Sequence, residues 1–410
     1  MPKEQIITGL DIGTCFVRTV IAKIRADQTK PQIIGIGQAP SFGLRHGIVV
    51  DVDDVVKSIS KSIQDAERSS GVSVDRVIFS ISGNHIVSKP TKGVIAVSRA
   101  DGEVSKEDVE RVISAASTIP VSQNREIFHT IPRSFSIDSQ NDIKDPIGMN
   151  GVRLEVDALV VEGSSPYIKN LTKCIYEAGL EKDNMVAVSL ASSQAALNKR
   201  QKELGVLSLD LGGGTVNMAV FEEGNIIHSC VLPIGSSHIT NDIAIGLRGS
   251  IDLAERVKIE YGSAISSEIN KKEVIDLSKL GLEESGTVLR SDVVNIIEAR
   301  LVETLELVNK ELKSINRQGL LPAGVVLLGG GAKMLGLVDL TKNILKLPAQ
   351  IGFPSGIDSV IDEIDDPSFA TAVGLVLWNK NNYEGVENRT VKSIREVFNR
   401  VKVRFGDFLP

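Results

Sequence analysis

Asp210 is the residue in this chain best placed to do chemistry. It closes an apolar run within Gly205 to Phe221 and is followed, after Leu211, by Gly212, Gly213, Gly214 and Thr215, with Asn217 near the start of a second apolar run. The pattern predicts strand, tight turn, strand, with the turn stripped of side chains. Glycine lets backbone N–H groups close on a bulky anion and adopt positive φ at no steric cost. A carboxylate just before such a turn suits a hydrated Mg²⁺ held against phosphate oxygens, because Mg²⁺ keeps most of its waters and takes few protein carboxylates. Ile6 to Lys23 repeats the grammar with Asp11, Gly13 and Thr14 ahead of an alternating strand. The two aspartates lie 199 positions apart (210 − 11), close to half of the 410 residues. Two such turns heading two halves predict a duplicated fold that grips one nucleotide from both sides. A third cluster, Gly329, Gly330 and Gly331, follows a buried strand and precedes a helix, which suits a nucleoside ring or phosphate near the helix N-terminus.

Composition narrows the rest. At 410 residues, 42% apolar and 24% charged, the chain has the balance of a soluble protein of two lobes, each able to bury a core. A net charge of −6 argues against a nucleic-acid binder held by phosphate contacts. Cys15, Cys174 and Cys230 are odd in number and widely spaced, neither a disulfide framework nor a zinc motif, and fit a reducing cytoplasm. The five histidines show no ligand spacing. No basic-then-apolar leader precedes the first strand, and no uncharged run reaches the roughly 18 residues a membrane span needs, so a cytoplasmic protein is expected.

The elements that must position these residues read as follows. Asp51 to Ser70 has helical apolar spacing and stops at Gly71; Val77 to Ser82 is a buried strand. From Gly83 to about Glu162 the character changes: Ile86 to Val97 alternates like an edge hairpin, Ser105 to Ser117 is a helix opened by a Ser105–Asp108 capping box, and strands follow at Phe128 to Ile137 and Leu154 to Val161. This inserted module holds no convergent catalytic set and reads as an interaction or assembly domain. Leu190 to Arg200 is predicted as one helix, and Ser237 to Gly262 as mostly helical. Glu255 and Lys258, three apart, share a helix face and by themselves read as a surface ion pair. Ser291 to Ile315 is a long amphipathic helix. Ile364 to Lys380 is predicted as a helix whose FATAVGLVLW run looks like packing rather than chemistry.

The last stretch differs. Asn379 to Asn388 is polar and reads as a linker. Residues 389–410 carry six basic residues against Glu396 and Asp407, a net +4, which leaves −10 (−6 − 4) on the other 388. Val391, Ile394, Phe398, Val401 and Phe405 form an apolar stripe beside Arg395, Arg400 and Lys402. A basic amphipathic helix with aromatic anchors suits the interface of an anionic membrane. A helix docked on the body, or a peptide for a partner protein, is the alternative.

These motifs resemble those of the actin, sugar-kinase and heat-shock-chaperone ATPase superfamily. DIGT at Asp11 to Thr14 resembles its first phosphate motif, DLGGGT at Asp210 to Thr215 its second, and LLGGGAKMLG, with Gly329 to Gly331 and Lys333, its adenosine motif. In that setting A-E-x-x-K at Glu255 and Lys258 resembles the chaperone-type pair that contacts the nucleoside. Within the superfamily the resemblance is to the FtsA family of bacterial cell-division proteins and runs nearly end to end. Its most specific parts are ISGNHI (Ile81 to Ile86), NREIFHTIP (Asn124 to Pro132) and DPIGMNGVRLE (Asp145 to Glu155).

The resemblance implies an α/β, actin-like two-lobe ATPase fold of duplicated ribonuclease-H-like halves, with an inserted α+β subdomain in the first lobe. The expected layout has a first-lobe inner subdomain at 1–82 completed by 164–197 and 367–380, and the inserted subdomain at 83–163. The second-lobe inner subdomain is expected at 198–239 and 320–366, its outer subdomain at 240–319, a linker at 381–388, and the membrane helix at 389–410. It also implies ATP with Mg²⁺ between the lobes, the metal held by Asp11 and Asp210 through water, and phosphate contacts from Gly13, Thr14, Cys15, Gly212 to Thr215 and Asn217. Further implications are self-association into filaments, docking of the C-terminal peptide of FtsZ on the outer subdomain with Arg300 as a contact, and recruitment of later division proteins. The place of action is the cytoplasmic face of the cell membrane at the division site.

Three departures matter. Cys15 replaces a common serine or threonine, Asn217 stands where an aspartate often occurs, and the helix start after Ser189 has no water-orienting glutamate or glutamine apart from Gln194 nearby. Slow or negligible ATP hydrolysis is therefore expected. The alternatives are a PilM-type pilus-assembly protein, which would do without the basic tail, and a small-molecule kinase, for which no acceptor-site base stands in a motif.

Overall fold

The structure is a computed structural model that describes residues 4–25, 30–118, 120, 122–280 and 286–380. The expected linker at 381–388 and the membrane helix at 389–410 lie outside the described residues. The chain opens with β1 (Gln5–Ile12), β2 (Phe16–Ile24), β3 (Gln32–Pro40), the short β4 (Leu44–Arg45) and β5 (Ile48–Val49), α1 (Val52–Ser70) and β6 (Arg76–Ile81). Next come β7 (Val87–Ala96), α2 (Lys106–Ser117), β8 (Arg125–Ile137), β9 (Gln140–Ile143) and β10 (Arg153–Ser164). Then follow α3 (Ser165–Glu177), β11 (Glu181–Ala187), α4 (Val188–Ala196), α5 (Lys199–Leu204), β12 (Val206–Leu211), β13 (Val216–Glu222), β14 (Asn225–Leu232), α6 (Ser236–Leu247) and α7 (Ile251–Tyr261). The chain continues with β15 (Val274–Asp276), β16 (Thr287–Leu289), α8 (Arg290–Ser314), β17 (Val325–Leu328), α9 (Leu337–Leu345), β18 (Ala349–Ile351) and α10 (Ala370–Lys380).

Contacts divide the chain into two compact units, one drawn from residues 1–89, 121–129 and 161–377, the other including 90–120 and 130–160. The larger unit is duplicated. One sheet runs β11-β6-β1-β2-β3, with β1, β2 and β3 antiparallel and β1, β6 and β11 parallel. Five strands of the second sheet run β18-β17-β12-β13-β14 with the same alternation of senses. β12 is buried along its whole length, Ser208 and Asp210 included, as a strand covered on both faces is.

Helices cover these sheets. α1 starts at Asp51, whose side chain accepts from the Asp54 N–H at 3.1 Å, and stops where Gly71 takes φ 71°. α8 buries Val293, Ile297, Leu301, Leu305, Val308 and Leu312 in the second-lobe core, each worth about 1.5–3 kcal/mol against solvent.

Some sequence expectations change. The helix predicted from Leu190 to Arg200 is two helices, because Leu197 turns extended and Asn198 starts a new capping box with Gln201. The 237–262 segment likewise divides where Arg248 takes φ 53° and Ser250 caps α7. Before α10, residues 362–364 and 367–369 form single 3₁₀ turns rather than helix, with Asp366 accepting from the Ser368 N–H at 2.8 Å. The stretch from Ile86 to Val97 holds one strand, β7, not a hairpin.

In the smaller unit, α2 packs Val109, Val112, Ile113 and Ala116 on Phe135, Ile137, Leu154 and Val156. Its capping box is present as the sequence predicts: Asp108 N–H donates to Ser105 Oγ at 3.1 Å and Ser105 N–H to Asp108 Oδ2 at 3.0 Å. Asp108 is wholly buried, and Arg111 and the hydrogen bonds from Ser105 hold its carboxyl well below the ordinary carboxylate range.

Candidate functional site: a cleft under two matched hairpins

Within the larger unit the β1–β2 and β12–β13 turns close in the same way. Gly13 N–H donates to Phe16 O at 3.1 Å, and Gly212 N–H donates to Thr215 O at 2.9 Å. The two turns meet at their tips. A Cβ on Gly213 would lie 2.3 Å from Cys15 Sγ, and one on Gly214 would lie 2.7 Å from Thr14 Oγ1. Any side chain there would push the hairpins apart. Cys15 Sγ is also 3.3 Å from Ser237 Oγ at the start of α6, where the Ser236 and Ser237 N–H groups donate to Gly212 O and Gly213 O.

Asp11 and Asp210 stand at the strand ends behind these tips and line one cleft of about 900 Å³. Each is nearly fully buried, 8% and 5% exposed, and each is pinned by a single hydroxyl. Ser80 Oγ donates to Asp11 Oδ1 at 2.8 Å and Thr371 Oγ1 to Asp210 Oδ2 at 3.0 Å. Burial raises both carboxyls; it takes Asp210 up to about 7, helped by the Asp11 charge and opposed by Thr371 and Arg18. The other oxygen of each carries no hydrogen bond from a described residue. Two desolvated carboxyls facing one cavity, each with an open oxygen, fit a hydrated dication with the charge to offset them.

The third glycine cluster closes against this pair. Gly329 has φ 78°, and a Cβ there would meet Asp210 Oδ1 at 2.6 Å and Leu211 O at 2.7 Å, so only glycine fits. The glycines do not open a helix directly: residues 330–333 make a 3₁₀ turn, and α9 begins at Leu337. Lys333 donates to Asp366 Oδ2 at 2.7 Å. On α7, Lys258 is buried and donates to Glu255 Oε2 at 2.7 Å and to Thr240 Oγ1 at 2.9 Å, while Thr240 Oγ1 donates to Glu255 Oε2 at 2.5 Å. The pair lines the cleft and is not a free surface bridge.

Of the expected cleft residues, the structure gathers Asp11, Gly13, Thr14, Cys15, Asp210, Gly212, Gly213, Thr215, Asn217, Glu255, Lys258, Gly329 to Gly331 and Lys333 on the wall of the cleft. Gly214 faces a smaller recess of about 270 Å³ behind the tips, beside His46 and His238. Asn217 is committed to protein: Ser82 Oγ donates to its Oδ1 at 2.6 Å, and its own amide donates to Thr215 Oγ1 at 3.3 Å. Gln194 is absent from the cleft wall, and its Oε1 accepts from Lys202 at 3.5 Å. Arg300 forms a forked pair with Asp242 at 2.6 and 3.0 Å and a further contact with Glu303 at 2.5 Å. The tail positions Ile394, Phe398, Val401, Phe405, Arg395, Arg400 and Lys402 lie outside the described residues.

Sequence reasoning missed Ser80, Ser82, Thr371 and Arg18. Thr371 comes from the FATAVGLVLW run that reads as packing alone. Arg18 had a signal: the 199-residue offset that carries Asp11 to Asp210 carries Arg18 to Asn217 (18 + 199 = 217). The register agrees, with Asp11 opposite Arg18 and Asp210 opposite Asn217 across their hairpins. Arg18 lies under the Phe16 and Phe369 rings, at 5.1 and 5.5 Å, and donates to Gln38 Oε1 at 3.0 Å.

Comparison with known proteins gives the same picture. The family model described as "Cell division protein FtsA" matches residues 207–374, and that described as "SHS2 domain inserted in FTSA" matches residues 83–162. Cell division protein FtsA of Bacillus subtilis (strain 168) is 38% identical over 382 residues, covering 93% of this chain and 85% of that one. Among solved structures, a PilM-PilN type IV pilus biogenesis complex aligns with TM-score 0.66 at 18% identity, over 93% of this chain and 98% of that one. MreB5 of Spiroplasma citri bound to ADP aligns with TM-score 0.54 at 14% identity, over 94% and 99%. At such identities the structures share the fold alone, and that fold is the actin-like one. The end-to-end sequence identity, the inserted module and the duplicated hairpin cleft together place the chain in the FtsA family of cell division proteins.

Proposed function

We propose that this chain is an ATP-binding, polymerising scaffold of the division site. In this reading it tethers FtsZ filaments to the inner face of the cytoplasmic membrane and helps recruit later division proteins. The observation that carries the nucleotide part is the pair of buried carboxyls, Asp11 and Asp210, set over two turns that meet where Gly213 and Gly214 leave room for Cys15 and Thr14. The turns Gly13 to Cys15 and Gly212 to Thr215 would cradle phosphates, with Asn217 behind them. Glu255, Lys258, Gly329 to Gly331 and Lys333 would face the nucleoside. Mg²⁺, held through water by Asp11 and Asp210, would supply charge neutralisation of the phosphates. The ADP named with the fold neighbour MreB5 supports a nucleotide in this cleft.

In this reading the cleft holds ATP more than it consumes it. α4 carries no carboxylate, and its one amide, Gln194, is turned to Lys202. Without a group to orient water, in-line attack loses its main assistance. Phosphate release from the purified protein should stay well below about 1 per second, and a rate at or above that overturns this part.

The layout carries over as part of the proposal: 83–163 for self-association, 240–319 as the FtsZ docking subdomain, and 389–410 as the membrane helix. Arg300 could take a carboxylate of the FtsZ peptide only by exchanging it for Asp242. Among the described residues no helix is long and apolar enough to cross a membrane, which leaves the tail to supply the attachment. The test is flotation of FtsZ on anionic liposomes with this protein and Mg-ATP. FtsZ should float only with the full chain. Deleting 389–410, or replacing Phe398 and Phe405 by Glu, should leave it in the pellet, since each phenylalanine loses apolar burial of about 2 kcal/mol and gains a charge repelled by the lipid. Flotation unchanged by both variants overturns the tether.

A further inference from the structure

Away from the cleft, β14 and α8 bring together a set of side chains that the proposed function does not use. His228 and Cys230 lie two apart on β14 and so share one face of the strand. Glu311, on α8, meets them there. A ligating atom of each of the three lies within 4.8 Å of the others, and His228 Nε2 is 3.6 Å from Glu311 Oε2. That separation is too long for a hydrogen bond, and His228 Nε2 is buried without a hydrogen-bond partner. Its charged neighbour is Glu311, at a distance that satisfies it poorly, which leaves a buried imidazole nitrogen open to a better partner.

We propose that His228, Cys230 and Glu311 form a binding site for a borderline divalent cation of the Zn²⁺ class. Nitrogen, sulfur and carboxylate oxygen are the three donor types that such an ion takes, at about 2.0–2.3 Å from each. A tetrahedral ion at those lengths wants its donors about 3.5 Å apart. The His228–Glu311 separation already meets this, and the sulfur, within 4.8 Å of both, needs only a small closure. Glu311 is 32% exposed and His228 18%, so the carboxylate side opens to solvent, which gives the ion an entry path and a water for its fourth position.

The three residues are well placed to be tied together. Cys230 and Leu232 pack against the core cluster to which α8 contributes Leu305, Val308 and Leu312. Cys230 is also where β14 pairs with Val87, on the strand by which the chain leaves for the inserted module. An ion here would clamp α8 to that strand edge. Binding replaces the thiol proton: the S–H bond breaks, the proton leaves to solvent, and the sulfur pair forms the bond to the metal, with no oxidant or reductant involved. Because the sulfur binds as thiolate, the site should fill more readily as pH rises.

The test uses Co²⁺ and Zn²⁺ as probes on the full-length, metal-stripped protein. Co²⁺ should give a thiolate charge-transfer band in the near ultraviolet that one equivalent of Zn²⁺ removes, and Zn²⁺ should raise the melting temperature in a concentration-dependent way. C230S should lose the band. E311Q keeps the shape of a partly exposed side chain and guards against a folding artefact. It should weaken Zn²⁺ binding by at least about tenfold, the scale on which even outer-shell partners of a metal act. A band that survives C230S marks an adventitious ion at another cysteine and overturns the site, as does Zn²⁺ affinity unchanged in E311Q.

Discussion

Asp210→Asn should melt higher than the wild type without nucleotide at pH 8 and should bind Mg-ATP far more weakly. Both effects come from the burial of one carboxyl. In the folded protein its pKa rises from 3.8 to about 7. The folded state therefore prefers the protonated form. Below about pH 4 the group is neutral whether folded or not and costs nothing. Between about pH 4 and pH 7 the unfolded chain ionises and the folded one does not, so stability falls as pH rises; above pH 7 the loss is constant. Three units at about 1.4 kcal/mol each set an upper bound on the order of 4 kcal/mol, part of it shared with Asp11. Asparagine keeps the hydrogen bond from Thr371 and removes the charge, so a gain of about 2 kcal/mol, or about 2 °C, is expected at pH 8 and none at pH 4. Mg-ATP binding should weaken on the order of 100-fold, about 3 kcal/mol, in titration calorimetry at fixed Mg²⁺. A variant that binds Mg-ATP like the wild type, or that melts lower at pH 8, refutes this account of Asp210.

Gly374→Val should be the most destabilising single change in the first lobe. A Cβ at Gly374 would lie 1.8 Å from Ala191 O and 2.4 Å from Ala191 C, which are backbone atoms of α4 that no rotamer change can move. α10 must therefore back away from α4. Overpacking against mobile side chains costs about 1–3 kcal/mol, and a displaced backbone costs more, so about 4 kcal/mol is expected for valine and about half for alanine. Thr371 sits one helical turn before Gly374, so the same displacement draws its hydroxyl off Asp210 and weakens nucleotide retention as well. Thermal melts should fall by about 5 °C for valine. A G374V protein melting within about 1 °C of the wild type means that α10 can be shifted at little cost, contrary to this packing.

How far the sequence reached depended on whether a feature is local. The two hairpins and the third glycine cluster were legible because the carboxylate and the missing side chains sit within a few residues of each other. The helix breaks at Leu197 and Arg248 were marked, by the Asn198–Gln201 capping box and by Gly249 with the Ser250 cap, but these local signals were overlooked. Ser80, Ser82 and Thr371 acquire roles only when other strands and α10 bring them to Asp11, Asn217 and Asp210. Arg300 was ambiguous for the same reason: Glu303 is its neighbour in sequence, but Asp242, its forked partner, is 58 residues away. The inserted module was visible as a change of character, whereas β7 as a single strand follows from pairings that no periodicity records.

The offset that relates Arg18 to Asn217 has a consequence for ligand polarity. A cleft assembled from two equivalent hairpins has approximate dyad symmetry, and a pocket with that symmetry would accept an elongated ligand equally well in either of two reversed poses. Such degeneracy would be fatal to a nucleotide switch, because half of the molecules would present the wrong end to each lobe. Here the two halves keep the aspartate and the glycine turn in common and differ at the facing position, a guanidinium in one and a neutral amide in the other. This pair of unlike residues, together with Glu255, Lys258 and Lys333 on the same wall, gives a duplicated cavity a head and a tail.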